Sequence, residues 1–130
     1  GPNNPESFFG ILRFNESLSV KPSAVAFSNM VNNYRHAIPV GKYVGQSYGF
    51  AYDNQGKNQL CLWTEKDSKE ETLYLPNTKK VNVTDIFGRV QQLKVLNGKV
   101  IITIGYLPIT ITGFDQDDFT GLYAPRKVVK

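Results

Sequence analysis

The feature that most constrains this chain is the period-two pattern through residues 73–114, LYLPNTKKVNVTDIFGRVQQLKVLNGKVIITIGYLPITITGF. Leu73 and Leu75, Val81 and Val83, Val100, Ile102 and Ile104, then Ile109 and Ile111 alternate with Asn82, Thr84, Thr103, Thr110 and Thr112. Successive side chains of a strand point to opposite faces, so the alternation predicts one face on a core and one in water. Turn chemistry divides the run at Pro76-Asn77, Asp85 to Gly88, Asn97-Gly98 and Gly105 to Pro108. Asn97-Gly98 is the sharpest signal, because a two-residue type I′ hairpin needs positive φ at both central positions. Short antiparallel strands of this kind close as two packed sheets. Nothing in the stretch is itself chemistry.

The remainder of the chain adds to this pattern. Residues 8–14 (FFGILRF) are apolar and β-prone. Pro22 then sits where a helix begins, at a position whose missing N–H costs nothing. Ala24, Phe27, Met30, Val31 and Tyr34 follow at three- and four-residue spacing, which predicts an amphipathic helix of about four turns ending before Pro39. From Tyr43 the period returns to two. Tyr48, Phe50 and Tyr52 share one face of a strand, with the profile of core residues, while Gly49 and Ala51 take the other. Residues 53–56 are a turn, and the continuous run Leu60-Cys61-Leu62-Trp63 predicts a central strand covered on both faces. The acids and bases that alternate in residues 64–71 (TEKDSKEE) read as a solvated loop.

The expected architecture is mainly β: an antiparallel β-sandwich of about 7–8 strands, preceded by one short strand and one amphipathic helix. Residues 1–38 form the strand-helix segment, 39–114 the sandwich, and 115–130 a tail, linker or added edge strand. The large apolar residues of the helix must pack somewhere: on the sandwich, on another copy of the chain, or on a further domain.

Composition excludes several functions. With one Cys and one His in 130 residues, neither a disulfide framework nor a His/Cys metal cluster can be built. Cys61 lies in an apolar run and reads as a small buried side chain. The net charge of +4 is mild, and only the last residues cluster basic groups. No basic face interleaved with stacking aromatics is present, so no nucleic-acid partner is expected. No apolar run reaches the roughly 20 residues of a membrane span. His36 has no recognisable nucleophile or carboxylate partner. Asp and Glu residues fall in expected loops and strand ends without the paired, rigid context of a glycosidase site. Asp85 is expected to accept backbone N–H groups in its turn. Asp117 and Asp118 lack the spacing of an EF-hand loop and read as solvated. No catalytic residue, cofactor or metal is expected.

Aromatic side chains carry the alternative, because the C–H face of a sugar stacks on an exposed ring. Tyr43, Tyr74, Tyr106 and Tyr123 fall at strand edges or in loops, or point away from the core. They are the candidate carbohydrate-binding residues. Trp63 reads as core.

The ordered set of short motifs resembles the C-terminal end of TIM-barrel glycoside hydrolases in which a small β-sandwich follows the barrel. Residues 8–34, with Lys21-Pro22-Ser23 and Ala26, look like the last barrel strand and final helix. YGFAYDNQGKNQLCLWTE is similar to the sandwich pair in which a Tyr-x-Phe strand precedes a Gly turn and a Leu-Trp strand. VNVTDIFGRVQQLKVLNGKVIITIGYLPITITGF looks like the closing segment, with its Phe-Gly turn, Gly-Lys hairpin and Pro-Ile-x-Ile strand. That family's catalytic carboxylates lie on earlier barrel strands, so none is carried over.

The resemblance implies a non-catalytic accessory module of a secreted, extracellular polysaccharide-degrading enzyme. Its expected partners are a plant-type or other polysaccharide, the catalytic barrel of the parent enzyme, and a second copy through the N-terminal helix. Two alternatives stay open: a purely structural sandwich supporting its barrel, and an adhesin-like protein-interaction domain.

Overall fold

The computed structural model describes residues 34–125. The strand expected over residues 8–14, and the helix expected from Pro22 apart from its last apolar residue, Tyr34, lie outside the described residues. Nine strands follow in chain order: β1 Ala37–Tyr43, β2 Tyr48–Asn54, β3 Lys57–Trp63, β4 Lys69–Tyr74, β5 Lys80–Thr84, β6 Val90–Lys94, β7 Lys99–Ile104, β8 Ile109–Thr112 and β9 Tyr123–Pro125. One short helix, α1 (Gln116–Thr120), precedes β9. The strands form a seven-stranded sheet in the order β6-β5-β8-β3-β2-β1-β9 and a two-stranded ribbon of β4 and β7. Every pairing is antiparallel.

The alternation in residues 73–114 is realised as the core between ribbon and sheet. Leu73, Leu75, Val100, Ile102 and Ile104 from the ribbon side meet Ala51, Leu60, Leu62, Val81 and Ile111 from the large sheet. Each such side chain contributes roughly 1.5–3 kcal/mol relative to exposure. β3 lies at the centre of the large sheet, as its continuous apolar run predicts. Leu60 and Leu62 enter the inter-sheet core. Cys61 and Trp63 point the other way, into a second cluster with Tyr34, Tyr52 and Ile86. Both faces of the sheet are therefore apolar at its middle.

Asn97 and Gly98 both take positive φ, +55° and +73°, and Leu96 and Lys99 exchange backbone bonds of 2.9 and 3.1 Å. The type I′ turn is present, but the strands it joins separate. β6 pairs with β5 in the large sheet and β7 with β4 in the ribbon. The Pro76-Asn77 and Gly105 to Pro108 turns likewise carry the chain from one sheet to the other. Only the Asp85 to Gly88 turn joins hydrogen-bonded neighbours within this stretch.

Two acidic segments depart from expectation. Residues 69–71 of the expected solvated loop belong to β4, and Glu71 is only 3% exposed. Asp115 caps α1 by accepting from the backbone N–H groups of Asp117 and Asp118. Asp118 is buried rather than solvated, and receives the backbone and side-chain N–H of Asn77 at 2.9 and 3.1 Å and the Thr78 hydroxyl at 2.6 Å. Residues 115–125 thus continue the fold, with β9 pairing along β1. Gly41 permits that pairing, since a Cβ there would lie 2.1 Å from the Ala124 carbonyl oxygen.

Candidate functional site

In an antiparallel sandwich, alternate connections gather at the same end. Here the β1–β2, β3–β4, β5–β6 and β7–β8 connections do so, as three registers indicate: Tyr48 faces Trp63, Leu62 faces Ile109, and Thr84 faces Thr110. The Thr64 N–H donates to the Gly105 carbonyl at 2.9 Å and ties the β3–β4 loop to the β7–β8 turn.

A cleft of about 410 Å³ opens between these turns, lined by Asp67, Asp85, Phe87, Arg89, Tyr106 and Leu107 among others. Asp85 builds one wall as its turn position predicts. Its Oδ1 accepts from the backbone N–H of Phe87 and Arg89 at 2.9 and 3.0 Å, and its Oδ2 from Arg89 Nε at 2.8 Å. Desolvation pushes the Asp85 carboxyl up, but the backbone and guanidinium donors of Arg89 and the Phe87 N–H outweigh it and hold the pKa below its usual value. The Arg89 guanidinium lies 5.1 Å from the centre of the Phe87 ring, and that ring is exposed. Across the cleft, Tyr106 is half-buried, and the Asp67 carboxylate, as acceptor for its hydroxyl, raises the phenol pKa.

The same loop also holds a second ring. Tyr48 donates to Glu65 Oε2 at 3.1 Å, and this hydrogen bond raises its pKa. The Tyr48 ring stacks on Trp63 with centroids 6.1 Å apart, while Phe50 contacts the same indole at 5.9 Å. The core expectation for this face holds for Tyr52, which is fully buried, and fails for Tyr48, which is 47% exposed. Tyr48 is the first residue of β2, where the covered part of the sheet face ends.

The four tyrosines singled out by sequence are not brought together. Tyr106 lines the cleft just described. Tyr74 is 66% exposed, as its alternation predicts, on the far end of β4 from the loops. Tyr123 is half-buried against Phe119, with ring centroids 5.2 Å apart. Tyr43 is 6% exposed and belongs to the inter-sheet core, so its ring offers no face for stacking. Its phenol donates to Glu71 Oε2 at 2.5 Å, and the same oxygen accepts from the Gln46 N–H at 2.9 Å. Lys69 Nζ lies 3.7 Å from Glu71 Oε1 and also donates to the Gln46 carbonyl. These groups line a second cleft of about 470 Å³ along β4.

Sequence reasoning passed over Tyr48 and Phe87. The available signal for both was position, since each lies in or beside a turn rather than mid-strand. Cys61 is fully buried, and burial pushes its thiol up to about 12, against a hydrogen bond with Tyr34 that lowers it. Among the described residues no group of three or more His, Cys, Asp or Glu side chains could hold a metal ion. No helix among them is long and apolar enough to cross a membrane.

No family model and no curated protein matches the sequence. Among solved structures, a family 39 glycoside hydrolase from the gut symbiont Bacteroides cellulosilyticus WH2 has a similar fold, with a TM-score of 0.60 at 18% identity. The likeness covers 72% of this chain and 20% of that one, so this chain corresponds to a small part of that protein's length.

Proposed function

We propose that this chain is a non-catalytic accessory module of a secreted polysaccharide-degrading glycoside hydrolase, and that it contacts carbohydrate through the rings at its loop end. The observation that carries the reading is the cleft at that end with Phe87 and Tyr106 in its lining, together with the exposed Tyr48 ring held at the same end against Trp63 and Glu65. A sugar needs an apolar face to stack on and charged acceptors to orient its hydroxyls, and this end supplies both. The fold shared with part of a family 39 glycoside hydrolase supports placing the module in such an enzyme. The catalytic carboxylates would then lie elsewhere in the parent protein.

A second reading, a sandwich that supports its catalytic barrel, draws on the outer face of the ribbon. There Tyr74 and Ile101 stand exposed, with Leu96 exposed at the adjoining turn. Such a face is a natural contact for another domain. Native affinity electrophoresis through gels containing soluble β-glucan, xylan or mannan separates the two. The module reading requires retardation in at least one gel, reduced by Tyr106→Ala. Unchanged mobility in all three eliminates carbohydrate binding and leaves the supporting role.

A further inference from the structure

We infer that the free edge of β4 is a docking site for an extended peptide strand, one that places a hydroxyl opposite Glu71 and a basic side chain opposite Glu70. It does not depend on the carbohydrate reading, whose rings lie at the loop end. β4 is paired on one side only, with β7. The Leu75 N–H donates to the Gly98 carbonyl at 2.7 Å, and Lys99 exchanges bonds with Leu96 rather than with Tyr74. Bonded residues alternate along an antiparallel ladder, so Lys69, Glu71 and Leu73 turn their N–H and C=O toward β7. Glu70, Thr72 and Tyr74 turn theirs to the open side, where they have no backbone partner among the described residues. Their spacing is that of a ladder which one further strand would complete.

The other open edges offer less. β9 is three residues long and ends in Pro125, which has no N–H. The outer edge of β7 is closed at one end by the Leu96 bridge and at the other by the Thr64 N–H on the Gly105 carbonyl. β6 borders neither cleft. Beside β4, by contrast, every residue from Lys69 to Tyr74 lines the cleft of about 470 Å³, with Gly45, Gly121 and Leu122 among the facing groups. Glu71 is 3% exposed, yet its Oε1 has no hydrogen bond among the described residues, and Lys69 Nζ stays 3.7 Å away. That oxygen is not sealed off and opens on the cleft. Lys69 already balances the Glu71 charge, so the group missing there is a neutral donor. Glu70 is the remaining charge in the lining, exposed on the outer face of the ribbon with Thr103 across from it on β7. Lys99, the cation of that face, stands across from Tyr74 instead. α1, which leads into Gly121, adds the exposed Asp117 and no basic residue. A cation opposite Glu70 is the cross-strand pair that this edge lacks.

The test uses the whole chain and amide-resolved NMR at about 0.15 M salt, where charges beyond about 8 Å are screened. In the free protein the Glu70, Thr72 and Tyr74 amides are expected to exchange with solvent faster than those of Glu71 and Leu73. Equal protection means that another part of the chain already fills the edge, and overturns the inference. The probe is acetyl-Thr-Leu-Thr-Thr-Lys-Thr-amide, which in antiparallel register sets Leu opposite Leu73, Thr opposite Glu71 and Lys opposite Glu70. Saturable shifts of the three edge amides are expected with it. None is expected when its first, third and fifth residues, the ones whose N–H groups would face β4, are N-methylated. Shifts that survive N-methylation, or that fall only at the loop end, overturn strand addition. Exchanging the peptide's Lys for Glu is expected to weaken binding by about two- to fivefold, the scale of one cross-strand charge pair. Glu70→Lys in the protein should reverse that preference, and a preference unchanged in the variant overturns the basic-partner assignment. No response to the peptide overturns the inference outright and leaves the carbohydrate reading of the loop end untouched.

Discussion

Tyr43 and Glu71 join the two sheets of the sandwich through one hydrogen bond: the phenol on β1 donates at 2.5 Å to a carboxylate on β4 that is 3% exposed. Tyr43→Phe leaves a buried carboxylate short of a donor, and a loss of about 1–3 kcal/mol is expected in urea unfolding at neutral pH. The pair also carries a pH signature. Burial, then the bond to Glu71, push the Tyr43 pKa well above its ordinary value. A proton held more tightly in the folded state stabilises the fold fully below the unfolded pKa of about 10, and that contribution is lost as pH rises toward the folded value. Stability is therefore expected to fall above about pH 10, and Tyr43→Phe should flatten part of that decline.

Cys61 should be inert in the native protein. Its thiol is fully buried and raised to about 12, so thiolate is scarce at neutral pH. An aromatic disulfide reagent at about pH 8 is expected to label it only as fast as the protein opens, and promptly in denaturant. Rapid labelling under native conditions would contradict the covered outer face of the large sheet.

Asp118 is the acceptor that fastens α1 to the β4–β5 turn, and Asp117 beside it is exposed. Asp118→Ala leaves the Asn77 N–H and the Thr78 hydroxyl without this partner and is expected to cost about 1–3 kcal/mol. Asp117→Ala should stay within about 1 kcal/mol, the scale of a charge at a helix N-terminus. Thermal unfolding of the two variants side by side checks the contrast. Equal effects would show that the buried network is not what holds α1.

Trp63 and Tyr74 should separate stability from surface. Trp63 packs in the second apolar cluster at 7% exposure, and Trp63→Ala is expected to cost about 3–5 kcal/mol. Tyr74→Ala, on the exposed ribbon face, should change stability by no more than about 0.5 kcal/mol. Chemical denaturation of both proteins reads the difference directly.

Much of the fold was legible because it depends on neighbours in sequence. Alternation identified the inward residues of β4, β5, β7 and β8, and the unbroken Leu60 to Trp63 run identified the central strand. The Asn97-Gly98 and Asp85 turns were legible for the same reason, since φ preference and an acceptor two to four residues away are local properties. Glu71 and Asp118 were not. Acids among other polar residues read as solvated, and their burial depends on donors 28 and 41 residues distant. The candidate site was legible in kind rather than in membership. Aromatic residues near turns pointed to ring surfaces, but Tyr43 proved to be core and Tyr48 rim.

The sequence by itself determined which residues face inward, where the chain turns, and that two sheets must share a core. Those follow from the period of a strand and the backbone freedom of single residues. Tertiary structure decided which strands pair, which turns cross between sheets, and where a covered face ends. These are set by contacts between distant segments, which no local period encodes. The same decision placed Glu65 and Asp67 beside Tyr48 and Tyr106, and made one end of the sandwich its candidate site.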